Sequence, residues 1–296
     1  MEQSFAARTL RDLAAVLIVA IFMFPIFWWS LSSIKPYSAI FNKDGPVYFD
    51  FEPTALNYKV TLLGRSRVES ALESGGTYGA GGASSYDSRQ TILDSTLVAV
   101  GSTGLTILLA TLAAYALSRM AMRGKQHFIF WILSQRFMPP IAIVIPIMFM
   151  FRDMSLLDSR LGLIIAHTLI NLPLAVLLLK SFFDDVPKDV DEAAMIDGAT
   201  RIQTFRRVVL PMVRGGVAAT AVLCFIFSWT EFLLSLYLTT SIRTLPVKIS
   251  TFVTSTGTEW GFITALGTSA IVPSFIFILL VQRHLVRGLT LGSLKE

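Results

Sequence analysis

The sequence predicts an all-α membrane protein with six transmembrane helices, and three observations carry that expectation. Of its 296 residues 53% are hydrophobic and 15% charged, with a mean hydropathy of +0.63, too apolar for an ordinary soluble chain of this length. Leu13–Ile34 runs 22 residues without a charge, about 33 Å as a helix, which spans a hydrocarbon core. Five further apolar runs alternate with charged connections. One cysteine, Cys224, and three scattered histidines leave no disulfide framework and no metal-ligand spacing. The net charge of +5 has no basic patch interleaved with aromatics, so it speaks for membrane orientation and against nucleic acid.

Taken in order, residues 1–12 form a short N-terminal segment and 13–34 the first span. That run is too long for the h-region of a secretory signal, roughly 7 to 15 residues. Residues 35–90 form a polar loop. Its middle, Ser74–Ser85, reads SGGTYGAGGASS, a flexible composition, and Pro36, Pro46 and Pro53 leave Val47–Phe51 at most a local strand or turn. The core follows over 91–296. Its second span, 95–118, repeats Ala110, Ala114 and Ser118 at a spacing that lets helices approach closely in lipid. The third span, 128–151, carries Arg136, Pro139, Pro140 and Pro146 and is expected to bend around a water-filled cavity. Arg136 reads either as a pathway residue or as an arginine snorkelling from the helix end. The fourth span, 161–183, holds His167, Asn171 and Pro173; Asn171 could serve a substrate or simply satisfy the proline kink. The fifth span is 215–242, with Ser228-Trp229-Thr230-Glu231-Phe232 inside it, and the sixth is 261–282, before a tail at 283–296.

Between the fourth and fifth spans lies the most charged stretch, residues 184–214. It reads as two short helices with a hinge. Pro187 suits a helix start, and Asp189, Asp191 and Glu192 place negative charge at the positive end of that helix. Gly198 suits a left-handed stop, Thr200 caps the next helix, and Pro211 is expected to close it.

Glu192-Ala193-Ala194, then Asp197-Gly198-Ala199, then Phe205, Val208, Leu210 and Pro211 resemble the EAA loop of bacterial ABC importer permeases, narrowed by the neighbouring sequence to the second permease subunit of the maltose-transporter type. The resemblance runs from about Leu13 to the C-terminus, apart from Arg65–Arg89. It implies the type I importer permease fold. It also implies that Glu192, Ala193, Ala194, Asp197, Gly198, Ala199, Phe205 and Pro211 couple to a cytoplasmic ATPase. Ser228–Phe232 is similar to the family's W-N-E-F segment, with Thr230 where asparagine is common; Arg136, Asn171, Trp229 and Glu231 are the candidate substrate pathway. Thr244-Leu245-Pro246 and Trp260-Gly261 look like an external loop that meets a sugar-binding protein, and the tail RGLTLGSLKE is similar to one that contacts the ATPase pair. The implied partners are a homologous permease, two ATPase subunits, an extracytoplasmic solute-binding protein, membrane lipid, and a sugar or polyol. ATP and Mg would sit on the ATPase, with no cofactor in this chain.

The N-terminus, the 119–127 loop, the 180–214 loop and the tail hold 14 lysines and arginines, whereas the two short opposite loops hold 4. The positive-inside rule therefore predicts that both termini and the charged loop are cytoplasmic, and the resemblance implies a place in the bacterial inner membrane. No G-x-x-x-x-G-K-[ST] occurs, so the chain has no P-loop for nucleotide, and the lack of GxSxG, HExxH or an intramembrane carboxylate dyad lowers the case for an enzyme. Two rivals stand beside this reading: an importer of a non-sugar solute (amino acid, peptide or anion), and an ion-coupled secondary transporter, for which Glu231 is the one strong coupling candidate.

The glycine-rich segment 75–82 cannot bury enough apolar surface to offset chain entropy. Its deletion is expected to leave complex assembly intact, checked by co-purification of the partner subunits.

Overall fold

The computed structural model describes residues 5–42, 44–64, 86–255 and 257–292. The glycine-rich segment lies outside them. The chain divides into two compact units, Met1–Gln90 with Ile249–Ile271 and Thr91–Lys248 with Val272–Glu296. In order, the elements are α1 (Phe5–Ser33), α2 (Tyr37–Ile40), α3 (Leu56–Leu63), α4 (Arg89–Arg119), α5 (Lys125–Ser134), α6 (Pro140–Asp153), α7 (Arg160–Asp184), α8 (Lys188–Ile196), α9 (Arg201–Thr204), a π-type turn at Phe205–Val209, α10 (Leu210–Met212), α11 (Arg214–Trp229), α12 (Leu233–Leu238), α13 (Leu245–Ser250), a two-stranded antiparallel hairpin of β1 (Val253–Thr254) and β2 (Gly257–Thr258), and α14 (Trp260–Gly292). Among the described residues four helices are long and apolar enough to cross a membrane, and two sharply bent pairs bring the number to six if each pair is one span.

In the first unit α1 shows its apolar side chains outward all round, as a lipid-facing helix does. Its last carbonyls need partners. Asn57, buried, supplies them: its Nδ2 donates to the carbonyls of Ser33 and Lys35, both at 2.9 Å. Lys35 follows the span, lies over the Trp28 ring at 4.5 Å and donates to the Val47 carbonyl at 2.7 Å. Burial pushes its ammonium pKa down from the ordinary lysine value. The segment at Val47–Phe51 forms bends and no strand. Tyr86 packs between Phe252 and Phe262, with centroids 5.9 and 5.4 Å away.

The second unit is built on α4, α7 and α11. Ala110, Ala114 and Leu117 of α4 meet Ala175, Val176, Leu179 and Phe183 of α7 and Cys224 of α11 in one buried cluster. The small residues of α4 thus face the interior, where a lipid-embedded bundle gains from close packing. A second cluster joins Val98, Val144, Phe151, Leu163, Ala166, Leu234 and Leu238. At Gly216 α11 packs against α7 with no room for a side chain: a Cβ there would collide with the Phe182 ring.

Several expected spans have different limits. Over the first, 13–34, α1 begins earlier and stops at Ser33; over the second, 95–118, α4 is longer at both ends; over the fourth, 161–183, α7 runs Arg160–Asp184. The third, 128–151, is not one helix: α5, continued by a 3-10 turn at Gln135–Phe137, meets α6 at 98° across Met138-Pro139. Adjacent prolines explain it, since Pro139 is extended (φ −60°, ψ 129°) and Pro140 restarts the helix at its first position. The fifth, 215–242, ends as α11 at Trp229, with α12 as a separate short piece. The sixth continues past Gln282 to Gly292, so the start of the tail is helical.

The α6–α7 turn is held by a carboxylate. Asp158, at φ 52°, accepts from the backbone N–H groups of Thr240, Ser241 and Ile242 at 3.0, 2.9 and 3.1 Å and from the hydroxyls of Thr240 and Ser241. The Ser241 hydroxyl and these amides hold its carboxyl well below the usual carboxylate range. A depressed carboxyl pKa contributes stability that is present above the unfolded-chain value and lost as pH falls below it. Because the carboxylate is partly open to solvent, Asp158→Ala is expected to destabilise the protein by about 1 kcal/mol at neutral pH, with the difference from wild type shrinking below about pH 4; thermal unfolding in detergent across pH checks both.

Candidate functional site

Two places in the second unit carry the residues singled out by sequence: the charged loop at 184–214, and a cavity among α7, α11 and the α5–α6 break.

The loop folds as two short limbs. Lys188–Ile196 is helical with Asp189 and Asp191 in its first turn, where the helix dipole favours anions; Pro187 stands just before it, as the cap. Gly198 is left-handed at φ 87°, a conformation that costs an L-residue roughly 1–2 kcal/mol. Thr200 opens the second limb with a complete capping box: its hydroxyl accepts from the Gln203 N–H, and the Gln203 side chain accepts from the Thr200 N–H. Pro211 does not end this limb. It sits near the start of α10, straight after the π-type turn, where its missing N–H leaves no bond unmade. The chain turns instead at Val213, by 75°.

The loop has an inner and an outer face. Asp191 is buried; its carboxylate forms an ion pair with Arg119, whose Nε lies 2.9 Å away, and accepts a hydrogen bond from the Tyr115 hydroxyl at 3.0 Å, both from the last turns of α4. Arg119 also donates to the Val186 carbonyl at 2.9 Å, and Ser118 donates to Asp184 at 2.7 Å while Lys180 pairs with the same carboxylate. Phe205 turns inward against Tyr115 and Phe183, with centroids 4.7 and 6.4 Å away. Glu192, Ala193, Asp197, Gly198 and Pro211 are exposed, and Ala194 and Ala199 half-buried. Beside them Ile196 is 86% and Ile202 71% exposed. The outward side of this charged loop thus carries two exposed isoleucines among its acids.

The cavity encloses about 140 Å³ and is lined by Arg136, His167, Ile170, Asn171, Phe227, Ser228 and Glu231. Three of the four expected pathway residues, Arg136, Asn171 and Glu231, meet there. Trp229 does not: it is buried behind, its ring stacked 5.5 Å from Phe225, which stacks in turn on Phe277. His167 Nδ1 hydrogen-bonds the Ser228 hydroxyl at 2.7 Å, Ser228 bonds Ser102 at 2.9 Å, and His167 Nε2 lies 3.3 Å from Glu231. Asn171 reaches the Cys224 carbonyl with Nδ2 at 3.5 Å, while its buried Oδ1 has no partner among the described residues. Arg136 makes no ion pair among the described residues and lies over the Phe227 ring at 5.8 Å. Glu231 does double duty, since its two oxygens accept from the N–H groups of Leu234 and Ser235 and so cap α12. Sequence reasoning passed over His167 and Ser228 as site residues. The spacing of His167 and Asn171, four apart on one helix face, was the available signal.

The family model described as the binding-protein-dependent transport system inner membrane component matches residues 106–291. The sulfoquinovosyl glycerol transport system permease protein SmoH of Agrobacterium fabrum is 33% identical, over 100% of this chain and 96% of its own. The trehalose transport system permease protein SugB of Mycobacterium tuberculosis is also 33% identical, over 94% of each chain. A crystal structure of a bacterial ABC transporter involved in import of the acidic polysaccharide alginate has a chain that superposes with a TM-score of 0.68 at 21% identity, covering 96% of this chain and 99% of that one.

The two ionisable walls of the cavity should separate in a stability measurement. Glu231→Ala removes a helix cap and is expected to cost about 1 kcal/mol, whereas Arg136→Ala, exposed and unpaired among the described residues, should stay within about 0.5 kcal/mol of wild type; thermal unfolding of the purified variants checks the contrast.

Proposed function

This chain belongs to the family of binding-protein-dependent transport system inner membrane components, and from that premise we propose that it is one permease subunit of an ATP-driven importer of a sugar or polyol. The observation that carries the reading is the two-faced loop: anchored inward through Asp191 and Phe205, and presenting Glu192, Ala193, Ile196, Asp197 and Ile202 outward on either side of a left-handed glycine. In this reading Glu192, Ala193, Ala194, Asp197, Gly198 and Ala199 form the contact with a cytoplasmic ATPase. Phe205 and Pro211 set the shape of the second limb. The ATPase holds ATP and Mg and performs the hydrolysis, and this chain contributes no cofactor. The excess of lysine and arginine on the loop side supports a cytoplasmic placement of the loop and of both termini.

The cargo assignment draws on relatives whose names speak of sulfoquinovosyl glycerol and trehalose transport. The cavity suits such a cargo. Arg136 is a donor, the unpartnered Asn171 Oδ1 an acceptor, and Phe227 an apolar face, a combination that reads the alternating hydroxyls and C–H faces of a polyol. A homologous permease would complete the pathway, and an extracytoplasmic binding protein would deliver solute. Transport follows as alternating access, in which nucleotide on the ATPase and solute on the pathway each favour a different state of the same helices.

The loop is tested by two substitutions outside the spans. Glu192→Lys reverses a charge at the contact, and Gly198→Val strains the left-handed hinge. Both variants should insert normally, yet lose ATPase on co-purification or hydrolyse ATP without uptake, with uptake reduced about tenfold or more. Wild-type uptake in both would overturn the reading of the loop. On the pathway side, Arg136→Ala and Asn171→Ala are expected to lower solute uptake at normal expression.

A further inference from the structure

The charged loop follows α7 and leads to α11 along the chain, but its buried polar bonds go elsewhere. Among the described residues, Asp191 is the one side chain of α8 that bonds outside its own helix, and both of its partners, Tyr115 and Arg119, belong to α4. Together with Ser118 they stand at positions i, i+3 and i+4 on one face of its final turns. The ion pair is enclosed, with side chains 8% and 10% exposed. Each charge also sits at a helix end of favourable polarity: Arg119 in the last turn of α4, and Asp191 in the first turn of α8. The same arginine holds the Val186 carbonyl at the entry of the loop, just before its first limb, and the Tyr115 ring receives Phe205 from the second limb. Both limbs and the loop's entry thus converge on one turn of α4. Neighbouring acids divide the work, Asp191 facing inward and Glu192 outward.

We propose that Tyr115, Arg119 and Asp191 form a clamp that makes α4 the receiving helix of the importer, so that displacement of the loop by the ATPase is delivered to the second span as a rigid-body movement. This rests on the reading of the loop as the ATPase contact. The physical ground is stiffness. A desolvated ion pair whose two members are each tied by a hydrogen bond to a further group, Asp191 to the Tyr115 hydroxyl and Arg119 to the Val186 carbonyl, has few alternative geometries, whereas the covalent route from α8 back to α7 passes through the turn Asp185–Pro187. The three are positioning residues, since none of them faces solute or ATPase.

The test uses the complete importer, both permeases with ATPase and binding protein, reconstituted in proteoliposomes. The variants are Asp191→Asn, Arg119→Lys and Tyr115→Phe. The readouts are ATPase retained on purification and ATP hydrolysed per solute taken up. Asp191→Asn should keep the ATPase bound while ATP consumed per solute rises about tenfold. Arg119→Lys keeps the charge but loses the bond to Val186, and should fall between Asp191→Asn and wild type; Tyr115→Phe removes one of the two bonds to Asp191 and should raise the ratio least. An unchanged ratio in all three overturns the clamp. So does parallel loss of ATPase retention and uptake, which would mean that the pair only shapes the loop's outer face. If Asp191→Asn fails to insert, the graded pair Arg119→Lys and Tyr115→Phe decides by the same ratio. Should Glu192→Lys retain ATPase and transport as wild type does, it is the underlying reading of the loop that fails, a result separable from any outcome at the clamp.

Discussion

Hydrocarbon offers no partner to an unpaired peptide group, and every irregularity in the second unit can be read as an answer to that constraint. Where α5 gives way to α6, two prolines remove donors that the break would otherwise strand. Where α11 stops at Trp229, the Glu231 carboxylate takes the amides that open α12. Both breaks border the same cavity, which receives Arg136 from one and Glu231 from the other. The polar site is therefore the place where the helical pattern is interrupted, because interrupted backbone and ionisable side chains need the same water-accessible surroundings.

The charged loop obeys a different economy, since it lies outside the apolar spans. Its shape comes from local rules: a proline before the first limb, a left-handed glycine between the limbs, a capping box on the second. Its orientation comes from one buried ion pair and one aromatic contact with α4. Local rules would fold such a loop almost anywhere; the buried pair decides which side of it faces out.

How much of this was legible in the chain follows from where each signal resides. The uninterrupted runs of α1, α4 and α7 show in composition alone, because lipid demands about 20 apolar residues in a row. The hinge showed too, since Gly198 and Thr200 carry conformational meaning by residue type. The bend at Pro139-Pro140 was expected, but its 98° turn into two helices was not, because a proline pair states that a ladder breaks and not where the next helix points. The end of α11 left no punctuation at all: Thr230 and Glu231 are neither glycine nor proline, and the cap that permits the break is visible only once Leu234 and Ser235 are in place. Pro211 misled for the opposite reason. It looked like a stop, yet the wide turn at Phe205–Val209 brings it in at a helix start. Trp229 was placed in the pathway by the likeness of Ser228–Phe232 to the W-N-E-F segment; the helix ends at Trp229, so Glu231 leaves on a different course, and the indole packs behind the wall against Phe225. The Tyr115, Arg119 and Asp191 contact spans 76 residues between hydroxyl and carboxylate, a distance that no local pattern encodes.

Cys224 is the sole cysteine in the sequence, and it lies buried in the cluster between α7 and α11 with its carbonyl turned to Asn171. A chain whose only thiol is shut away from reagents is already a blank background for labelling. Single cysteines placed on Ile196, on Ile202 or around the Arg136 cavity could carry spin labels or fluorophores without first stripping the native sequence, so distances across the working cycle can be followed in what is otherwise the natural protein.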